Sequence, residues 1–309
     1  MKQYQTRQGF GGVLGCGLKP GRVKQWQAER RSPELPRSLV SSDIALCCDP
    51  KRAKVYRDLS PAIPPEKGLR HMNLSKKHYW IIGASEGLGR ALAEKLHAEG
   101  CKLTLSARSL DRLQDLNIKD AQLMPMDVTD QASVDEVLHD LPLVDGLIYC
   151  AGAYDPMTAQ NWDRDSALKM MDVNVLGAMR LLPEMVEHFT FRNAGHIVLI
   201  GSLAAYHGLP GAVGYSASKA ALMHLAENLY VDLKKTDVKV QIINPGFIKT
   251  RLTQKNSFEM TQLMTPETAA DHVIRAMKRK RFRVAFPYPF AGVFRLLRLL
   301  PDRWVHRLF

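Results

Sequence analysis

Short apolar runs alternate with longer amphipathic stretches between residues 78 and 286. The runs occupy 79–82, the start of 101–109, 122–126, 146–149, 196–201 and 239–243. Each is short enough to be a strand buried within a sheet. Helical periodicity predicts helices over 87–99, 110–116, 131–139, 160–188, 215–234 and 266–280. In the first of these, Leu88, Leu92 and Leu96 fall on one stripe. Strands alternating with helices in this way predict a single α/β domain on a doubly wound parallel sheet.

The first strand ends in Gly83-Ala-Ser-Glu-Gly-Leu-Gly89 and runs straight into a helix. Strand, glycine turn, helix is the context in which a glycine motif points to a dinucleotide. Gly83 allows a tight turn, Gly87 lets backbone approach a pyrophosphate, and Gly89 allows the helix to pack closely on the sheet. Phosphates then meet the unpaired N–H groups and dipole of the helix N-terminus. The spacing is G-x-x-x-G-x-G and not G-x-G-x-x-G. A glycine-bearing turn without a ligand is the bland alternative.

Tyr215-Ser-Ala-Ser-Lys219 places a phenol and an ammonium one helical turn apart on one face. A phenol is a poor acid near neutrality, with an ordinary pKa of about 10. A nearby ammonium favours the phenolate, so the pair is a candidate proton donor with its own tuner. The same spacing occurs on many solvated faces, and its weight here comes from the glycine turn upstream.

With both motifs in hand, the chain resembles the short-chain dehydrogenase/reductase family from about Lys76 to about Phe286. Further positions fit in order. Asp127-Val128 follows the third strand and Cys150-Ala151-Gly152 the fourth. Asn174 sits in Asp172-Val-Asn-Val-Leu-Gly177. Ser202 closes the fifth strand, and Asn244-Pro245-Gly246 through Thr250 follows the sixth. The resemblance implies a Rossmann-type fold, a nicotinamide cofactor, and hydride transfer between it and a carbonyl or secondary alcohol. It implies that Tyr215 is the general acid and that Lys219 lowers its pKa and holds the nicotinamide ribose. It implies that Ser202 holds the substrate oxygen, and that Asn174 orders a water linking Lys219 to solvent. Cofactor contacts are implied for Gly83, Ser85, Gly87, Leu88, Gly89, Arg108, Asp127, Val128, Ala151, Gly152, Tyr215, Lys219, Pro245, Gly246, Ile248 and Thr250. Taken singly, Ser202 also reads as a turn cap and Asn174 as a residue satisfying backbone at a helix bend.

Two positions depart from the family pattern. Ile82 stands where Thr is common, and Cys150 where Asn is common. Both suit a buried strand end, and Cys150 reads as an inert core thiol.

The end of the second strand bears on which nicotinamide cofactor is used. A carboxylate there would accept from the adenine ribose 2′-hydroxyl of NAD. The chain has Ala107 followed by Arg108, whose guanidinium suits a 2′-phosphate. NADP(H) is therefore expected over NAD(H). Glu86 opposes this, since it would repel a phosphate if it pointed inward. The first turn of a helix favours a carboxylate, and Glu86 is expected to point to solvent there.

The chain has 309 residues, more than such a domain requires. Residues 1–71 hold 14 Lys and Arg against 6 Asp and Glu, so 14 − 6 = +8 of the net +12. They lack a sustained period and are expected to be a disordered basic extension. A nucleic-acid arm is the sharper reading of that charge, and no nucleic-acid partner is expected. Met72 looks like a natural start for the family. No apolar stretch near the N-terminus suits a signal peptide. The basic, acid-free residues 1–28 leave a transit peptide open, though their glycines argue against an amphipathic helix. Five cysteines without metal-ligand spacing fit a reducing, cytoplasmic setting.

Residues 287–309 are expected to carry a helix over 291–300, apolar along Val293, Leu296, Leu297 and Leu300, with Arg295 and Arg298 opposite. It is too short to span a bilayer. A lid on the site, a subunit contact and peripheral membrane contact are all open, with packing on the protein itself preferred. This segment and the loop Leu203-Ala-Ala-Tyr-His-Gly-Leu-Pro210 suggest an apolar or amphipathic substrate, such as an oxo-lipid, steroid-like or xenobiotic ketone. The family resemblance implies a homodimer or homotetramer through the helices at 160–188 and 215–234. The rival reading is a silent cofactor-binding scaffold or redox sensor. The intact Asn174, Ser202, Tyr215 and Lys219 argue against it.

Overall fold

The computed structural model describes residues 72–256, 260–297, 299–305 and 307, without the side chains at 295 and 302. The disordered extension expected over 1–71 lies outside the described residues, as does Arg298.

Strand β1 is His78–Ile82, and helix α1, Gly87–Ala98, follows the glycine turn. Then come β2 (Lys102–Ser106), α2 (Leu110–Gln114), β3 (Gln122–Leu123), α3 (Gln131–Asp140) and β4 (Gly146–Tyr149). The second half holds α4 (Arg164–Met171), α5 (Gly177–Phe191), β5 (Gly195–Ile200), α6 (Val213–Asp232), β6 (Val238–Pro245) and α7 (Pro266–Met277). Strand β7 (Arg283–Phe286) and helices α8 (Phe290–Leu297) and α9 (Asp302–Val305) complete the described chain. Helix starts follow local chemistry. The side chains of Ser109, Asp130, Asp163 and Thr265 each accept a backbone N–H of the helix they precede, and Pro266 opens α7.

All seven strands are parallel, in the order β3-β2-β1-β4-β5-β6-β7. Side chains alternate between two cores. Trp80, Ile82, Leu147 and Tyr149 pack with α3, α5 and α6 on one face. Tyr79, Ile81, Leu105 and Ile148 pack with α1 and α7 on the other. Covering both faces removes the strands from water, as an all-parallel sheet requires. Each buried Leu or Ile contributes about 1.5–3 kcal/mol relative to exposure.

The structure departs from the sequence pattern at four places. The helix expected over 160–188 begins at Arg164, ends at Phe191, and is interrupted by one π-helical stretch, Asp172–Leu176. The strand expected over 122–126 is ladder-paired only at Gln122–Leu123. The chain continues beside β2, with the Met124 and Met126 N–H groups donating to the Leu105 and Ala107 carbonyls. β7 is an addition, because Arg283-Val-Ala-Phe286 is a brief edge strand behind a basic run and gives little pattern of its own. The C-terminal helix spans Phe290–Leu297 and not 291–300.

The chain passes from β1 to β2 and β3 on one side, then crosses to β4 on the other. The carboxyl ends of β1 and β4 therefore flank a topological switch point, where ligands bind in open α/β sheets.

Candidate active site

A cleft of about 970 Å³ opens at that switch point. Every cofactor-side position expected from the sequence lies on its wall, as do Ser202, Tyr215 and Lys219. Asn174 is not on the wall; it is fully buried behind it.

The glycine turn is shaped by backbone crowding. Gly83 has φ +84°, and a Cβ there would meet Ala151 backbone at 2.7 Å. A Cβ at Gly89 would come within 2.0 Å of the Gly83 carbonyl oxygen, so α1 can start against the turn only with glycine there.

Glu86 differs from expectation. It is the N-cap residue of α1, but its side chain makes no capping bond. Its carboxylate instead accepts from Arg251 Nη2 at 2.6 Å and from Arg112 Nη1 at 3.3 Å. Both arginines line the cleft, so their charges draw the carboxylate across its edge. Arg108 is exposed on the same wall and makes no ion pair among the described residues. Asp127 Oδ1 accepts from the backbone N–H and the hydroxyl of Thr129, at 2.9 and 2.8 Å, which fixes the turn after β3.

Ser202 lies two residues beyond β5, and Tyr215 and Lys219 share one face of α6. The Ser202 hydroxyl accepts the Ala204 N–H at 3.1 Å and lies close enough to the Tyr215 phenol to favour its ionised form. Ser202 therefore is a turn cap as well as a neighbour of the phenol. Lys219 Nζ lies 5.9 Å from the Tyr215 ring centroid and donates to the Ile200 carbonyl at 3.0 Å. Burial pushes the Tyr215 phenol up to about 12, partly opposed by the nearby Ser202 hydroxyl. Burial also pulls Lys219 down to about 8. The expected lowering of the phenol by the ammonium is thus absent from the protein alone. Desolvation dominates both groups, and the ammonium is turned to a backbone carbonyl.

Asn174 lies in the π-helical stretch. Its Oδ1 accepts the Ala153 N–H at 2.7 Å, and its Nδ2 donates to the Ala153 carbonyl at 3.0 Å and to Ser218 Oγ at 2.8 Å. It pins the strand-end loop at the helix bend, while a Cβ built on Gly152 would sit 3.5 Å from Asn174 Oδ1 and 3.8 Å from Lys219 Nζ. Cys150 also lines the cleft, and burial pushes its thiol up to about 12, so it is not a poised nucleophile.

Sequence reasoning gave Asn244 only as part of a motif, without a role, and missed Tyr154, Lys255 and Asn256. Asn244 Oδ1 holds the Ser202 N–H at 3.1 Å. The Tyr154 ring stands edge-on to the Tyr215 ring at 4.8 Å between centroids, and its hydroxyl donates to Asn256 Oδ1. Lys255 ties the same region down through the Tyr154 carbonyl and Asp155. The polar Asn244 at the end of the apolar run Val240-Gln-Ile-Ile-Asn244 is the sequence signal for a buried partner. Tyr154 and Asn256 are brought together only by the fold.

The C-terminal helix supplies two wall residues, Phe290 and Phe294. Its buried side is Ala291, Phe294 and Leu297, not the full expected stripe. Val293 and Leu296 are exposed, because the helix packs through its 290-294-297 face.

The family model for short chain dehydrogenase matches residues 77–261. An uncharacterized oxidoreductase of Myxococcus xanthus is 34% identical over 233 residues, covering 72% of this chain and 92% of its own. Among solved structures, a short chain dehydrogenase from Burkholderia cenocepacia in complex with NADP superposes with TM-score 0.70 at 23% identity, covering 76% of this chain and 98% of its own. A short chain dehydrogenase/reductase from Burkholderia phymatum in complex with NAD superposes with TM-score 0.65 at 23% identity, covering 73% and 94%. At these identities the two structures speak for the fold alone. The family match runs from the glycine turn through the loop beyond β6, taking in Asn174, Ser202, Tyr215 and Lys219, and the protein is therefore an oxidoreductase of the short-chain dehydrogenase family.

Proposed function

We propose that this protein is an NADP(H)-dependent carbonyl reductase, running in reverse as a secondary-alcohol dehydrogenase. The observation that carries the reading is the convergence of Ser202, Tyr215 and Lys219 on one wall of the switch-point cleft, with the Lys219 ammonium 5.9 Å from the Tyr215 ring centroid. The cofactor, when bound, supplies the hydride. The chain's own residues supply position and a proton. The Ser202 hydroxyl orients a carbonyl oxygen beside Tyr215, and the Tyr215 hydroxyl gives that oxygen its proton. Lys219 stabilises the phenolate left behind. An ammonium has three donors, and Ile200 takes one, so two remain for a ribose and a water. In this reading Asn174, behind Gly152, holds that water in a relay to solvent, accepting from it through the remaining lone pair of Oδ1.

The residues present fit a phosphorylated dinucleotide. The position after β2 carries no carboxylate, and Arg108 lies on the cleft wall without an ion pair among the described residues. NADH is the alternative, because the Glu86 carboxylate stands on the same wall. Phe290, Phe294, Leu203 and Leu209 favour an apolar or amphipathic ketone. Leu168, Met179 and Val231, all exposed on α4, α5 and α6, support a homo-oligomer through those helices. No helix among the described residues is long and apolar enough to cross a membrane.

Following nicotinamide absorbance with NADPH and NADH over a panel of ketones and alcohols tests the reading. It expects turnover of apolar ketones with NADPH preferred. Cofactor binding without turnover on any carbonyl would favour a silent scaffold.

A further inference from the structure

Residues 288–304 leave large apolar side chains in solvent. Tyr288 is 85% exposed, Leu299 80%, Leu296 60%, Trp304 54% and Val293 52%. Scattered exposed apolar residues are ordinary, but a contiguous patch marks a contact surface. Contiguity follows from helix geometry. Ala291, Phe294 and Leu297 point α8 into the domain. Val293 and Leu296, three positions apart, fall on the opposite side. The Tyr288 ring lies over Gly292 on that outer side, where a Cβ would meet it at 3.2 Å. Leu299 follows Leu296 by three positions, and its N–H bonds the Leu296 carbonyl at 2.9 Å. Helix α8 is thus apolar nearly all round, yet among the described residues only one side is covered.

The chemistry at the edge of the patch distinguishes its occupants. Arg303 and Arg307 are exposed beside Trp304, and neither makes an ion pair among the described residues. A second copy docked on this face by a two-fold axis would bring these arginines toward their own mates. Anionic headgroups would instead pair with them. Aromatic rings such as Tyr288 and Trp304 favour the boundary between apolar and aqueous phases.

We infer that the outer face of α8 and the turn into α9 dock on the surface of an anionic lipid bilayer. The leucines and Val293 enter the acyl boundary while Arg303 and Arg307 contact headgroups. The inner face of the same helix walls the cleft through Phe290 and Phe294, so bilayer and cleft lie on opposite sides of one helix. The docking surface does not depend on the reductase reading.

The test is co-sedimentation of the full chain with phosphatidylcholine vesicles, with and without phosphatidylglycerol. Binding to anionic vesicles should exceed binding to neutral ones by about tenfold or more, and should weaken with salt. Leu296→Glu with Leu299→Glu should abolish binding, and Arg303→Glu with Arg307→Glu should reduce it to the neutral-vesicle level. Tyr288→Ser with Trp304→Ser is a second apolar probe, should the leucine variant fail to fold. Protein that remains in the supernatant with both vesicles overturns the inference. So does binding that the variants leave unchanged. An oligomer that the leucine variant dissociates, with no vesicle binding by the parent, assigns the face to a second copy instead.

Discussion

Asn244, at the end of β6, accepts the backbone N–H of Ser202 at 3.1 Å through Oδ1. Its Nδ2 donates to the Tyr206 hydroxyl at 3.2 Å, and the whole side chain is buried. A Cβ on Gly201 would sit 2.0 Å from Asn244 Oδ1, so the strand end has room for this bond only because Gly201 has no side chain. One strand thereby fixes where the next delivers its serine.

Asn244→Leu should therefore displace Ser202 without touching the cofactor side. Turnover is expected to fall by about 10- to 100-fold, as misplaced reacting groups cost, with NADPH affinity changed little. Leaving the buried Ser202 N–H unpaired should also cost about 1–3 kcal/mol of stability. Parallel kinetics, cofactor titration and thermal melts separate these effects. A variant with parental turnover would remove Asn244 from the account.

Cofactor preference is expected to rest on Arg108 and to be moderated by Glu86. Ala107→Asp with Arg108→Leu should shift the specificity-constant ratio toward NADH, because a carboxylate repels the 2′-phosphate and the guanidinium is gone. Glu86→Gln should move the ratio the other way, releasing Arg112 and Arg251 from the carboxylate they share. A parent enzyme that already prefers NADH would contradict the assignment.

The Lys219 ammonium is predicted to set an alkaline limit on cofactor binding. Burial pulls its pKa down to about 8, so the charge is present below that pH and is lost as pH rises through it. NADPH affinity measured across this range should decline above about 8, and Lys219→Met should flatten the profile at weaker affinity. A profile unchanged by that substitution would separate the lysine from the cofactor.

Acid stability should depend on a buried chain beneath the site. The Tyr79 hydroxyl meets His196 Nδ1 at 2.9 Å, and His196 Nε2 meets Gln241 Oε1 at 2.8 Å. Gln241 Nε2 donates to the carbonyls of Ala276, Arg279 and Arg281, which leaves its oxygen to accept. His196 is therefore neutral, protonated on Nε2, and accepts from Tyr79. Burial lowers its pKa to about 3 and that of His188 to about 4. Above the ordinary value of 6.5 neither the folded nor the unfolded chain holds the extra proton. Below it the unfolded chain binds protons that the folded chain refuses, so stability falls as pH drops from about 6.5 toward 4. A tenfold difference in proton affinity between the two states is worth about 1.4 kcal/mol. Melting temperature should decline across that window, and a decline equally steep in His196→Gln would argue against this residue.

Much of this architecture is legible in the chain. The apolar runs place six strands, and the glycine turn and the Tyr215 to Lys219 spacing locate the switch-point cleft. What escapes has no local signature. β7 is a four-residue edge strand whose pairing to β6 depends on tertiary placement. Glu86 reads as a helix-start carboxylate, but Arg251 reaches it from 165 positions away. The spacing to Lys219 predicts a lowered Tyr215 phenol. Burial, which periodicity does not measure, raises it instead. The C-terminal stripe is sound as amphipathic helix, yet aromatic side chains at 290 and 294 decide which side faces the protein.

The most direct test of the central claim is the single-turnover rate of Tyr215→Phe with NADPH and an accepted ketone, measured beside its NADPH dissociation constant. The substitution keeps the ring and its contact with Tyr154 and removes only the transferable proton. Turnover should fall by about 100-fold or more, in line with general-acid contributions, while NADPH binds as in the parent. A variant that reduces the ketone at a near-parental rate would contradict Tyr215 as the proton donor.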